Sequence, residues 1–333
     1  MDPIYAILER QFNHIDTDAW LLGMPSTVQA FANVQQHFVT TFDAKAADNW
    51  QQHDVHLGWQ VPPTPRHQTI LFYPKAKQEA LMLLDMAIAQ LSRVGGSLWI
   101  VGENKGGIKS VPAIMKKRQL AGNKRDSARH CAIFEIDIPQ DTSLSIPAKE
   151  HYETTIALSN EVSLASFPGV FSSGRLDVGT ALLLQHLPKP TGPILDFGCG
   201  CGVIGAHLLQ RYPKADMDGL DVNWLAIEAT ALTAKRSGVA FRTLYCANGL
   251  IDSVPRYQHI VSNPPFHEGV GTQYDTAEAF IMRSHKHLVT GGNITLVANQ
   301  FLEYEPLLQK AFGNCQELAR EKGFKILFAR RTR

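Results

Sequence analysis

The 333-residue sequence has no long apolar run: nowhere do about 18 uncharged hydrophobic residues follow one another, the length that a membrane helix needs. The opening stretch, MDPIYAILERQFNH, carries acids early and no apolar core of signal-peptide length, so a cytoplasmic protein is expected. Cysteine is scarce. The five present (Cys131, Cys199, Cys201, Cys246 and Cys315) form no C-x-x-C pair, and an odd number argues against a disulfide framework. No paired Cys/His spacing suits zinc, so no metal is expected. An excess of either charge is missing too: 32 Lys and Arg against 31 Asp and Glu leave a net +1, which announces no nucleic-acid partner.

What is present reads as a globular protein, with 44% hydrophobic and 19% charged residues. The length suggests two domains, and a monomer is expected. PQDTSLSIPAKE, residues 139–150, is polar, bracketed by prolines and without apolar period, which marks a linker. The domains expected are therefore 1–145 and 151–333. One local concentration of charge stands out. Residues 104–130 hold Lys105, Lys109, Lys116, Lys117, Arg118, Lys124, Arg125 and Arg129 against the single acid Asp126. A solvated surface is the ordinary explanation; a phosphate-facing patch centred on Lys116, Lys117, Arg118, Lys124 and Arg125 is the other.

Beyond the linker, a hairpin is expected around Ser159-Asn160. Strands at 193–197, 216–220, 241–245, 259–262, 293–298 and 324–329 then alternate with helices at 203–211, 224–237 and 277–287, after a leading helix at 178–186. This rhythm predicts an α/β fold, a mostly parallel sheet with helices on both faces. The first half repeats the pattern faintly. LSRVGGSLWIVGENKGG (91–107) parallels HLVTGGNITLVANQFLE (287–303), and QTILFYPKAKQEALMLL (68–84) parallels the run around 259–269. Gly-Gly turns before strands are common, but two landmarks in one order favour a duplication whose first copy has degenerated. Tyr73-Pro74-Lys75 stands there in place of the second copy's Asn-Pro-Pro-Phe, and no D-x-G-x-G occurs near its start.

ILDFGCGCGVIG (194–205) ends a buried strand at Asp196 and fills the loop before a helix with Gly198, Gly200 and Gly202. Glycines let backbone amides approach a ligand, and the helix start behind them favours an anionic group. The stretch from Gly200 to Gly205 matches the dinucleotide pattern G-x-G-x-x-G, and Asp221 ends the next strand, where an acid can hold a ribose. A carboxylate at Asp196 would repel a pyrophosphate, however. A cationic amino-acid ligand such as S-adenosylmethionine carries no phosphate, and Asn248 after the third strand is placed to read an adenine edge.

HIVSNPPFHEG (259–269) breaks a strand with two prolines. An exocyclic nucleobase amine is a poor nucleophile because its lone pair is delocalised. The Asn263 side-chain oxygen and the Pro264 carbonyl are two acceptors that could hold its N–H bonds out of the ring plane, and Phe266 offers a flat face for the base. His267 is close enough in sequence to take the released proton, although a loop histidine more often packs locally. An adenine-N6 or protein-glutamine amide presents the same planar-amine problem. A nicotinamide dehydrogenase and an RNA-binding scaffold without turnover remain alternatives from other classes.

LDFGCGCGVIG, the acid in GLDVN, CANGL and SNPPFHEG together resemble the successive motifs of Rossmann-like, S-adenosylmethionine-dependent methyltransferases. With PGVFSSGRLDVGTALLL, FYPKAKQEALMLL, WIVGENKGGIKS and NKRDSARHC, nearly the whole chain resembles the ribosomal RNA small subunit methyltransferase C family. That resemblance implies two tandem methyltransferase-like domains, of which only the second binds cofactor, and methylation of a guanine N2 in 16S rRNA of the 30S subunit. Carried over by motif, Asp196, Gly198, Gly200 and Gly202 line the cofactor, Asp221 meets its ribose and Asn248 its adenine. Asp177, Gly179 and Thr180 lie near its methionine end, and Asn263, Pro264 and Phe266 hold the guanine. Cys201 departs from the small residue that the family often has there.

Overall fold

A computed structural model describes residues 2–28, 37–157, 163–170, 176–264 and 270–332, with backbone alone at 270–276. The chain forms two compact units, residues 1–153 and 154–333. No helix among the described residues is long and apolar enough to cross a membrane.

The first unit contains strands β1 (Trp20–Leu22), β2 (Phe38–Thr41), β3 (Asp54–Leu57), β4 (Gln68–Phe72), β5 (Gly96–Glu103), β6 (Gly122–Ala128) and β7 (Cys131–Ile138). Its helices are α1 (Pro3–Glu9), α2 (Ala44–Asn49), α3 (Lys77–Ser92) and α4 (Val111–Lys117). The strand order is β3-β2-β1-β4-β5-β7-β6, with β6 and β7 antiparallel. Every residue of β4 is buried, as expected of a central parallel strand covered on both faces. Buried Ala80, Leu83, Leu84, Ala87 and Leu91 recur at helical spacing along α3.

The second unit opens with the hairpin β8 (Thr154–Ala157) and β9 (Ser163–Ser166), whose Ala165 N donates to Thr233 Oγ1 at 2.9 Å. The turn expected at Ser159-Asn160 lies outside the described residues. The main sheet comprises β10 (Ile194–Phe197), β11 (Met217–Asp221), β12 (Thr243–Cys246), β13 (Tyr257–Ser262), β14 (Leu288–Asn299), β15 (Gln316–Glu321) and β16 (Phe324–Arg330). The helices are α5 (Val178–His186), α6 (Val203–Arg211), α7 (Trp224–Arg236), α8 (Val270–His287) and α9 (Glu305–Phe312). The order β12-β11-β10-β13-β14-β16-β15 repeats that of the first unit strand for strand. One core cluster packs α8 and α9 against the sheet and another packs α5 and α6, so helices cover both faces.

The structure corrects the reading of the glycine pairs. Gly291-Gly292 lies inside β14, at a break in its register with β13, rather than in a turn before the strand. A Cβ on Gly292 would meet the carbonyl oxygen of Gln258 at 3.0 Å, and one on Gly96 would meet that of His67 at 2.0 Å. One glycine of each pair, Gly96 and Gly292, therefore serves a close approach of neighbouring backbones.

Candidate active site

At the carboxyl edge of the second sheet, β10 gives way to the glycine loop. Gly198 and Gly200 adopt φ of 71° and 56°, conformations that side chains disfavour. The amides of Gly198 and Cys199 donate to the Leu220 carbonyl at 2.8 and 3.1 Å, and Gly200 N donates to Asp221 Oδ2 at 2.9 Å. The other oxygen of Asp221 accepts from Asn223 N at 2.9 Å, so this carboxylate shapes the loop as well as facing the space before it. Thr230 of α7 closes the back of the loop, its hydroxyl donating to the Gly200 carbonyl at 3.0 Å.

A cavity of about 200 Å³ opens there, lined by Gly198, Gly200, Asp221, Thr180, Asn263 and Pro264 among others. Among the described residues its lining contains one carboxylate and no Lys, Arg or His. That charge balance suits a cationic ligand without phosphate and not a pyrophosphate. Cys199 and Cys201 also line it, 4% and 5% exposed; burial pushes the Cys201 thiol up to about 11 and raises that of Cys199 well above its ordinary value. Both are therefore neutral and offer the ligand an apolar, polarisable wall.

Asn263 follows the last residue of β13. Its Nδ2 donates to Thr180 Oγ1 at 2.8 Å and to Asp177 Oδ2 at 3.2 Å. A carboxylate can only accept, so the amide nitrogen must face it, and Oδ1 remains to accept from a ligand. Asp177 caps α5, accepting from Thr180 N at 3.0 Å, which fixes both partners of Asn263 on one helix start. Ser262, fully buried, donates from Oγ to the Phe197 carbonyl at 2.8 Å and ties the ends of β10 and β13 together. Nothing in the sequence singled out Ser262 or Thr230: isolated hydroxyl residues carry no pattern.

Other expected residues lie elsewhere. Asp196 is fully buried beneath the loop and outside the cavity lining; its Oδ2 accepts from Gly205 N at 3.2 Å, while Oδ1 has no partner among the described residues. Burial, more than the charge of Asp221, pushes its carboxyl up to about 7. Gly202 starts α6 and packs on α7, where a Cβ would meet Thr230 Cγ2 at 2.9 Å. Gly179 packs on Phe324, whose ring a Cβ would meet at 3.0 Å. Asn248 is exposed, one residue past Ala247, whose amide donates to the Asp221 carbonyl at 3.0 Å; it too lies outside the cavity lining. Phe266 and His267 fall outside the described residues.

In the first unit, the basic segment divides in two. Arg118 donates to Asp85 at 2.8 Å. Arg125 donates to Glu135 at 2.6 Å and to Gln11 at 3.1 Å, and lies 4.2 Å above the Trp99 ring. These two cations are engaged within the fold, with side chains 28% and 22% exposed. Lys116 and Lys117, on the last turn of α4, and Lys124, on the edge strand β6, are exposed and have no ion pair among the described residues.

Comparisons with known proteins agree on one family. Residues 161–328 match a family model described as the methyltransferase small domain, and residues 6–148 match its N-terminal counterpart. The ribosomal RNA small subunit methyltransferase C of Pseudomonas aeruginosa (strain LESB58) is 39% identical over the full length of both chains. That of Acinetobacter baylyi is 34% identical, again over the whole of both chains. Among solved structures, a 16S rRNA N2 methyltransferase of T. thermophilus, in complex with AdoMet and guanosine, superposes with a TM-score of 0.79. It covers 100% of this chain and 92% of its own at 21% identity, a likeness of fold.

Proposed function

The chain belongs to the ribosomal RNA small subunit methyltransferase C family, and on that premise we propose that its second unit transfers a methyl group from S-adenosylmethionine to the exocyclic N2 of a guanine in 16S rRNA. The cofactor supplies an electrophilic methyl group on a sulfonium. The residues present fit it: Gly198 and Gly200 let the loop backbone approach, Asp221 is the one acid and no cation appears among the described lining residues, and the two cysteine thiols there are neutral. Asp221 meets the ribose and Thr180 the methionine end, while Asp196, Gly202 and Gly179 act from behind by holding the loop and helix starts. Asn248, exposed beyond the cavity lining, is assigned to the adenine edge from the rim.

The observation that carries the reading is the pinned amide of Asn263. With Nδ2 held by Thr180 and Asp177, Oδ1 accepts one N–H of the guanine amine and the Pro264 carbonyl accepts the other. Two fixed acceptors draw the amine toward a tetrahedral shape, free its lone pair and meet the positive charge that develops on nitrogen. Phe266 supplies the stacking face, as its place two residues on suggests. An adenine or glutamine amide presents the same chemistry; family membership favours guanine.

The first unit supports the second and docks RNA through Lys116, Lys117 and Lys124, with Arg118 and Arg125 holding that surface in shape. The enzyme is proposed to work as a cytoplasmic monomer on the small subunit. The test is incubation of 30S subunits lacking the modification with the protein and methyl-labelled S-adenosylmethionine. Label is expected on one guanine N2; label on a ring nitrogen, on adenine or nowhere in the RNA overturns the reading.

A further inference from the structure

Phe301 is the most exposed large apolar side chain among the described residues, at 77%, against 44% for the next, Leu144. It lies two residues past the end of β14, the parallel neighbour of β13, whose own end leads into Asn263 and Pro264. Both strand ends open at the same edge of the sheet, so Phe301 follows a strand end at the edge where the candidate active site lies. Its backbone is anchored on either side. Gln300 N donates to the Gly323 carbonyl at 2.9 Å and Gln300 Nε2 to that of Phe324 at 3.4 Å, while Leu302 and Tyr304 are buried. Phe324 is in turn the residue against which Gly179 packs, next to the Asp177 and Thr180 that hold Asn263.

A lone exposed apolar residue is ordinary surface. An aromatic ring on an anchored turn at the rim of a site that handles a nucleobase is a ready stacking platform, because every base offers a π face and little ordering remains to be done. The adjoining turn adds the exposed Lys322, but Glu321 precedes it, so the ring rather than net charge is what the rim offers. We propose that Phe301 is a positioning residue that stacks on an unpaired RNA base beside the target guanine. The inference rests on the reading that the substrate is RNA.

The experiment measures kcat and KM on 30S subunits lacking the modification, for the full-length wild type and the variants Phe301→Ala, Phe301→Trp and Phe301→Leu. S-adenosylhomocysteine calorimetry and thermal melting accompany it. Phe301→Ala is expected to raise KM for the subunit about 5- to 100-fold, with kcat, S-adenosylhomocysteine affinity and melting unchanged. Phe301→Trp restores KM and Phe301→Leu does not. A wild-type KM in Phe301→Ala overturns the proposal, and so does rescue by Phe301→Leu equal to that by Phe301→Trp, which marks an apolar contact with a protein of the subunit. If the wild type itself places no methyl on guanine N2, the proposed function fails and takes this inference with it; if it does and Phe301→Ala keeps its KM, only this inference fails.

Discussion

Both units place a glycine after the first strand of their seven-stranded sheet, and the two glycines behave alike. Gly23 N donates to Thr40 O at 2.9 Å with φ of 73°, and Gly198 N donates to Leu220 O at 2.8 Å with φ of 71°. Sheet register from these points equates the remaining positions. Buried Leu21 stands where the second unit has Asp196, Thr41 where it has Asp221, and Phe72 where it has Asn263. Even the capping geometry persists: Asp43 N donates to Thr41 Oγ1 at 3.1 Å as Asn223 N does to Asp221 Oδ1 at 2.9 Å. The Thr41 hydroxyl, however, donates to the Met24 carbonyl at 2.9 Å, whereas Asp221 accepts an amide of the loop. Each exchange replaces a carboxylate or amide with a group that satisfies the fold alone. The polar choices in the second unit are therefore not required by the architecture. Asp196, whose burial pushes its carboxyl up to about 7, is one that costs stability.

Swapping residues between the units tests this directly. Asn263→Phe, with Asn263→Ala beside it, removes an acceptor for the reacting amine and should lower kcat about 100- to 1,000-fold while leaving S-adenosylhomocysteine affinity within about two-fold. Equal losses in both would make Asn263 a cofactor residue. Asp221→Thr removes the charged partner of Gly200 N, worth about 1.5–3 kcal/mol, and should weaken S-adenosylhomocysteine binding about 10- to 100-fold in calorimetry. Unchanged binding would mean that the loop holds its shape without the carboxylate.

Smaller effects separate the two classes of cation in the first unit. Changing Lys116, Lys117 and Lys124 to Ala should reduce the salt slope of RNA binding by about two to three. Arg118→Ala should leave that slope alone and cost at most about 1 kcal/mol of stability, measured by denaturant unfolding. If the slope follows Arg118 instead, the division is wrong. A further test is pH. Because the folded carboxyl of Asp196 is raised from 3.8 to about 7, its contribution is full below the unfolded value and is lost as pH rises through about 7. Melting of the wild type relative to Asp196→Asn should thus fall between about pH 4 and pH 7 and level off above; a constant difference would mean that Asp196 does not titrate there.

Much of the second unit was legible because its signals were local. The bounds expected for α5 and α6 match, since Asp177 caps one and a glycine loop opens the other. Helix α9 and strand β15 were not anticipated. β15 is an edge strand, half exposed and rich in charge, so QELARE has no apolar alternation to read. The β14 bounds were set too late because a glycine pair inside a strand looks like a turn until the neighbouring backbone is seen. Within the site, the chemistry of Asn263 was visible, but its partners Thr180 and Asp177 lie 83 and 86 residues away, beyond any local pattern. Asp196 was assigned to the ligand because sequence gives a side chain's identity but not its direction. The ion pairs of Arg118 and Arg125 were hidden for the same reason, since Asp85 and Glu135 reach them only through the fold.

The central claim is that one of two units with the same strand order binds the cofactor. Titration calorimetry of the full chain with S-adenosylhomocysteine tests it most directly. One site per chain is expected, weakened severely by Asp221→Thr and left intact by Thr41→Ala. Two sites per chain, or a single site that survives Asp221→Thr and fails with Thr41→Ala, would contradict it.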